Sequence, residues 1–128
     1  MNAQKTRLAM LLWSADPDRP ELCAAPFVHA TAAAAIDCEV EMHFSGRAVR
    51  LLVAGVAEGL HPSSDREVSV LHFMRQAADL GVRFLACAMA LKAHVQPGET
   101  LIPEYRGTAG AAAFVARTLD PEWATLVY

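Results

Sequence analysis

Basic clusters are missing from this sequence. Its eleven lysines and arginines are scattered, no two are adjacent, and the formal net charge is −3. A nucleic-acid surface needs a basic patch or stripe, so nucleic acid is not an expected partner. Long apolar runs are missing too. The longest candidates, Leu8 to Trp13 and Ala86 to Leu91, fall far short of the roughly 20 residues that span a bilayer, so no membrane partner is expected. Basic residues precede Leu8 as in a signal peptide, but six apolar residues with no small-x-small site after them do not make one. Cysteine is sparse: Cys23, Cys38 and Cys87 form an odd, widely spaced set without a CxxC pair. That argues against a disulfide framework and a zinc knuckle. The thiols are expected to be reduced, in the cytoplasm. There is no GxGxxG after the first apolar run and no GxxxxGK[ST], so the common phosphate cradles are excluded. His29, His43, His61, His72 and His94 show no metal-ligand spacing. Neither a metal nor a cofactor is expected.

What is present is apolar, at 54% of residues, too much for a disordered chain. Much of it is alanine, in clusters at Ala32–Ala35 and Ala111–Ala113. Alanine favours helices and lets them dock closely, while each one buries little area. Residues 1–128 are read as a single domain. Arg7 to Trp13 reads as a buried strand closed by Ser-Ala-Asp-Pro. Pro26 belongs in a first helical turn, so a helix is expected from about Ala25 to Ala35. Cys38 to Phe44 alternates with period two, as a strand does. Val49 to Val56 fits either a short strand or a helical turn. Glu67 to Leu80 carries a broad apolar helical face, with Ser64 or Asp65 as its cap, Glu67 in its first turn and Gly81 as its stop. Val82 to Ala86 is a strand and Ala88 to His94 a short helix. Gly107-Thr108 is read as opening a helix over Ala109 to Thr118, with Thr108 the candidate N-cap. Trp123 to Tyr128 is a last strand. Strands alternating with helices imply right-handed crossovers and a parallel sheet covered on both faces.

In such sheets ligands bind beyond the carboxyl ends of the strands. That rule selects Ser14-Ala15-Asp16, Ser45-Gly46-Arg47 and Cys87-Ala88-Met89. Cys87 stands between a strand and a helix start, where free N–H groups favour a thiolate, the nucleophilic form. The competing reading is a small buried hydrophobe, since free cysteine is among the most buried residue types. Cys38 opens a strand at the wrong end of the sheet and reads as structural. Cys23, in a loop or at a helix start, is a candidate exposed thiol and a candidate resolving partner for Cys87. His94, seven residues after Cys87, is read as a solvated helix-end histidine, with an approach to the thiol as the alternative. Gly107-Thr108-Ala109-Gly110 is read as tight packing of a helix start.

Three stretches resemble the DsrE/DsrF/DsrH-like sulfur-relay family. They are Ala32 to Val49, similar to its alanine-rich helix, aromatic-ended strand and glycine turn; Ala77 to Leu91, similar to its helix–Gly–strand–Cys segment; and Gly107 to Phe114, similar to its late small-residue helix. The resemblance implies a flavodoxin-like, three-layer α/β/α domain with a doubly wound, mostly parallel five-stranded sheet, assembled into trimers or hexamers. It also implies a sulfur carrier or sulfurtransferase holding sulfane sulfur as a persulfide on Cys87, with donor and acceptor proteins as partners. Ser14, Ser45, Gly46, Ala88 and Met89 are the expected substrate contacts. The alternative is a non-catalytic small-molecule-binding or assembly domain of the same fold.

Overall fold

The computed structural model describes residues 6–64 and 68–128. Five strands form one sheet: β1 (Arg7–Leu12), β2 (Glu39–Phe44), β3 (Arg83–Ala86), β4 (Tyr105–Thr108) and β5 (Trp123–Val127), in the order β4-β3-β2-β1-β5. Every pairing between named strands is parallel. Four helices connect them: α1 (Ala25–Ala35), α2 (Val70–Asp79), α3 (Ala88–His94) and α4 (Ala111–Leu119). The path β1, β2, β3, β4 steps across the sheet in one direction. Right-handed crossovers therefore put α1, α2 and α3 on one face. The last connection runs back from one edge to the other, and α4 covers the opposite face.

The strand alternation matches these two faces. Leu8, Met10, Leu12, Val40, Met42, Phe44, Phe84 and Ala86 join the main core, with Phe27 and Ala30 of α1, Met74 and Ala77 of α2, and Ala90 of α3. Phe27, Phe44 and Phe84 meet with ring centroids 5.4–6.0 Å apart at the centre of this layer. Burying each ring stabilises the fold by about 1.5–3 kcal/mol. The opposite face is thinner: Ala9, Phe114 and Trp123 form its small core, with Leu11 against it.

Local signals explain most boundaries. Ser69 caps α2 by accepting the His72 N–H at 3.2 Å. The cap is thus Ser69 and not Ser64; the other expected positions, Asp65 and Glu67, lie outside the described residues. At the end of α2, Gly81 takes φ +90° while Gly81 and Val82 N–H groups bond the Ala78 and Ala77 carbonyls, a Schellman stop. The ambiguous Val49–Val56 stretch is divided. A 3-10 helix over Gly46–Leu52 ends there, and Val53 then pairs antiparallel with Leu101. The segment read as a helix opening is corrected: Gly107 and Thr108 end β4, and Gly110 is the N-cap of α4. Nor do Ala111–Ala113 pack tightly; all three are exposed.

The α4-covered face carries a buried charge. Glu41 is 1% exposed. It accepts from Arg83 Nη2 at 2.7 Å, Arg117 Nε at 2.8 Å and His43 Nε2 at 2.9 Å. The Arg117 guanidinium also lies 4.0 Å over the Trp123 ring. Burial pushes the Glu41 carboxyl up, but the bonds from His43 and Arg117 outweigh it and pull it from 4.5 down to about 2. A depressed carboxyl contributes stability above its unfolded value and loses it as pH falls through the folded one. Glu41→Gln is therefore expected to cost about 3 kcal/mol at neutral pH. In urea titrations this difference should be full above pH 4.5 and shrink steadily toward pH 2.

Candidate functional site

The sheet register sets the site. Leu12, Phe44, Ala86 and Thr108 are level across four strands. The ladder then runs one residue further: Ser45, Cys87 and Ala109 N–H groups bond the Leu12, Phe44 and Ala86 carbonyls at 2.8, 3.0 and 2.9 Å. Ser45, Cys87 and Ala109 thus stand in one row beyond the carboxyl ends. After β3 the chain turns to the α1–α3 face, and after the adjacent β4 it turns to the α4 face. This divergence is a topological switch point, where open parallel sheets leave a crevice.

A cavity of about 210 Å³ occupies it. Its polar wall is Cys87, His43 and Ser45, and its apolar wall includes Leu11, Phe44 and Phe114. Gly110 and Ala111, at the start of α4, complete it. First-turn N–H groups have no intrahelical acceptor and carry positive partial charge. Cys87 is a free, half-buried cysteine and the N-cap of α3. His43 is 4% exposed; its Nε2 faces Glu41, while its Nδ1 has no hydrogen-bond partner. The Phe114 ring meets it edge-on at 5.3 Å.

Of the six residues singled out in the sequence, Cys87 and Ser45 line this cavity and the other four do not. Ser14 is exposed, with its N–H bonded to the Tyr128 carbonyl at 3.2 Å. Gly46 begins the 3-10 helix with φ +56°. Ala88 and Met89 form the first turn of α3, and Met89 is 81% exposed. Beside Ser14 and Gly46, Arg47 Nε holds Asp16 at 3.0 Å and ties the two loops together. Burial raises the Asp16 carboxyl, but bonds from the Asp18 N–H and Arg47 hold it below its ordinary value.

Two further cysteine and histidine positions are settled by their surroundings. Cys23 is corrected from an exposed thiol to a buried one, because the 3-10 turn at Pro20–Leu22 folds it into the core. Its Sγ donates to the Asp16 and Arg19 carbonyls at 3.4 and 3.5 Å. Burial, then Asp16 and Glu21, push this thiol up to about 11. His94 stands at the far end of α3 from Cys87, about 10 Å along the helix axis. Sequence reasoning missed His43 and Glu41 as site residues. A Glu-x-His pair on one face of a strand, in a sheet expected to be covered on both faces, was the available signal. Among the described residues, no group of three or more His, Cys, Asp or Glu is placed to hold a metal ion, and no helix is long and apolar enough to cross a membrane.

The protein is thus a small parallel α/β domain with a free cysteine beyond the interior strand β3, in the wall of a switch-point cavity. The chain belongs to the DsrE/DsrF-like family, whose sequence model matches residues 8–104. The late stretch Gly107 to Phe114 lies beyond the matched residues. Among solved structures, the ychN protein from E. coli is similar with a TM-score of 0.73 at 12% identity, covering 98% of this chain and all of that one. The protein of unknown function MTH1491 from Methanobacterium thermoautotrophicum is similar with a TM-score of 0.64 at 19% identity, covering 95% of this chain and 98% of that one. At these identities the likeness is one of fold. No curated protein matches the sequence.

The two cysteine environments should separate in reactivity. Site-resolved alkylation of the native protein near pH 8 is expected to label Cys87 at least about tenfold faster than Cys23, whose thiol is buried and raised. In denaturant the two rates should converge.

Proposed function

We propose that the protein is a sulfur carrier or sulfurtransferase holding sulfane sulfur as a persulfide on Cys87. The observation that supports this reading is the position of Cys87, a free cysteine in the wall of the switch-point cavity. The Cys87 thiolate attacks the outer sulfur of a donor R–S–SH. The donor S–S bond breaks, R–S⁻ leaves, and Cys87–S–SH forms. An acceptor thiolate then attacks the outer sulfur, and Cys87 departs as thiolate. Each step is an exchange without net oxidation or reduction. The start of α4, at Gly110 and Ala111, offers N–H groups that favour the anionic sulfur. In this reading residues 1–128 act as one domain. Ser45 contacts substrate inside the cavity, while Ser14, Gly46, Ala88 and Met89 meet the donor or acceptor at the rim. A carrier thiol of this kind works in a reducing compartment, the cytoplasm.

The reading includes assembly into a trimer or hexamer. Trp13, Val115, Leu119 and Val127 are exposed apolar residues, at 61, 50, 80 and 61%. Such residues are candidates for burial between copies of the chain. The alternative, a non-catalytic small-molecule-binding or assembly domain, draws on the apolar cavity walls at Leu11, Phe44 and Phe114.

Incubation with a persulfide donor, followed by intact-mass measurement, is expected to add one sulfur atom to the wild type and none to Cys87→Ser. Equal addition to both, or to neither, defeats the carrier reading. Sedimentation is expected to give three or six times the 13.8 kDa chain mass; a monomer defeats the assembly.

A further inference from the structure

His43 is the one buried polar side chain of the cavity whose chemistry the exchange above leaves unused. Its Nε2 lies 2.9 Å from Glu41 Oε1. Glu41 is also held by Arg83 and Arg117, so it stays ionised and can only accept a hydrogen bond. The bond therefore requires a proton on Nε2, and neutral His43 carries a bare lone pair on Nδ1. The two ring nitrogens point in nearly opposite directions. Nε2 is turned back along β2 toward Glu41, and the same side chain lines the cavity at the carboxyl end of the sheet. Nδ1 is buried and has no partner, an arrangement that costs stability unless a donor arrives. Around the ring stand Glu41 from β2, Arg83 from β3, Phe114 and Arg117 from α4, Leu11 from β1, and Cys87 on the wall of the same cavity. One carboxylate and two guanidiniums gather on the Nε2 side of the imidazole, and the thiol shares its cavity.

We propose that His43 is the proton carrier of the Cys87 cavity and that Glu41 is its positioning residue. The proposal rests on the sulfur-exchange reading for its substrate, a hydropersulfide, but not for the Cys87–His43 pair. Cys87 Sγ makes no hydrogen bond to Nδ1 in this structure; when the Cys87 side chain turns to bring the thiol within reach, Nδ1 takes its proton, leaving a thiolate and an imidazolium whose charge Glu41 balances. The thiolate attacks the outer sulfur of R–S–SH, the donor S–S bond breaks, and Nδ1–H returns its proton to the departing R–S⁻. The sum is Cys87–SH plus R–SSH giving Cys87–SSH plus R–SH, with His43 restored. Cys87–SSH then passes its own proton to Nδ1, and the resulting Nδ1–H donates to the persulfide anion in the cavity that Gly110 and Ala111 also line.

The test compares wild type, His43→Gln and Glu41→Gln by site-resolved alkylation of Cys87 across pH 5–10, alongside persulfide loading by mass. In the wild type the alkylation rate should rise at lower pH than in His43→Gln. Near pH 7 the His43→Gln rate should be about tenfold lower, and Glu41→Gln should fall between them. A second measurement needs only folded protein: nitrogen-15 NMR of the imidazoles in wild type and Cys87→Ser. The His43 ring should show Nε2–H with bare Nδ1 when neutral, and its titration should move when Cys87 becomes serine. Coincident alkylation profiles, or a His43 titration indifferent to Cys87→Ser, overturn the pairing. If the pairing holds but no sulfur loads, the proton carrier stands and the sulfur reading falls. If sulfur loads with coincident profiles, the reverse is true.

Discussion

Right-handed crossover is the constraint on which this structure turns. Three successive strands each step to the next position in the sheet, so their connections stack on one face. The fourth connection must travel back across the whole sheet to place β5 beside β1. Handedness sends it to the other face. The consequence is local and chemical. β3 and β4 are neighbours, yet the chain leaves them in opposite directions, and the cavity opens between their ends. Cys87 stands in its wall because it is the first residue beyond β3, and α4 points its first turn into the cavity because it is the element that crosses back. The site is thus a product of winding before it is a product of side chains.

The same return path explains the buried charge. α4 is the main cover on its face, and its apolar contribution is small. Glu41 and His43 lie beneath it, where a single unpaired charge would be strongly destabilising. Arg83 from the sheet and Arg117 from α4 both reach the carboxylate, so the ion cluster joins helix to sheet where few apolar side chains do. Arg117 also stacks on Trp123, extending the link to β5. The polar layer that holds α4 in place is therefore continuous with the wall of the cavity through His43. The buried ion cluster and the cavity wall thus share His43.

The strands and helices with strong periodicity were legible in the sequence. β2 alternates, and α2 carries an apolar stripe followed by Gly81. The expectation of a parallel α/β domain followed from their order. β4 was not legible. Tyr-Arg-Gly-Thr has neither an apolar run nor clean alternation, and it is a four-residue edge strand with a shifted register against β3. One partner strand is enough to hold it, so its own side chains need not advertise it. The alanines at Ala111–Ala113 pointed to packing, yet they are exposed; propensity for helix is all they supply. Cys23 looked like a loop thiol because its neighbours are polar and proline-rich, while a short 3-10 turn carries it into the core.

The alternation of strands and helices apart from β4, the family and the cysteine at the end of a strand were determined by the sequence itself, because periodicity and punctuation are local properties that a chain carries unfolded. Which residues face that cysteine was decided only by tertiary structure. Ser45 was placed beside it by the level register of β2 and β3, whereas Ser14, Gly46, Ala88 and Met89 share its end of the sheet but not its cavity. His43 and Glu41 became a buried pair only when α4 crossed over them. Such convergence depends on strand order and crossover hand, and these arise from contacts between residues far apart in the chain.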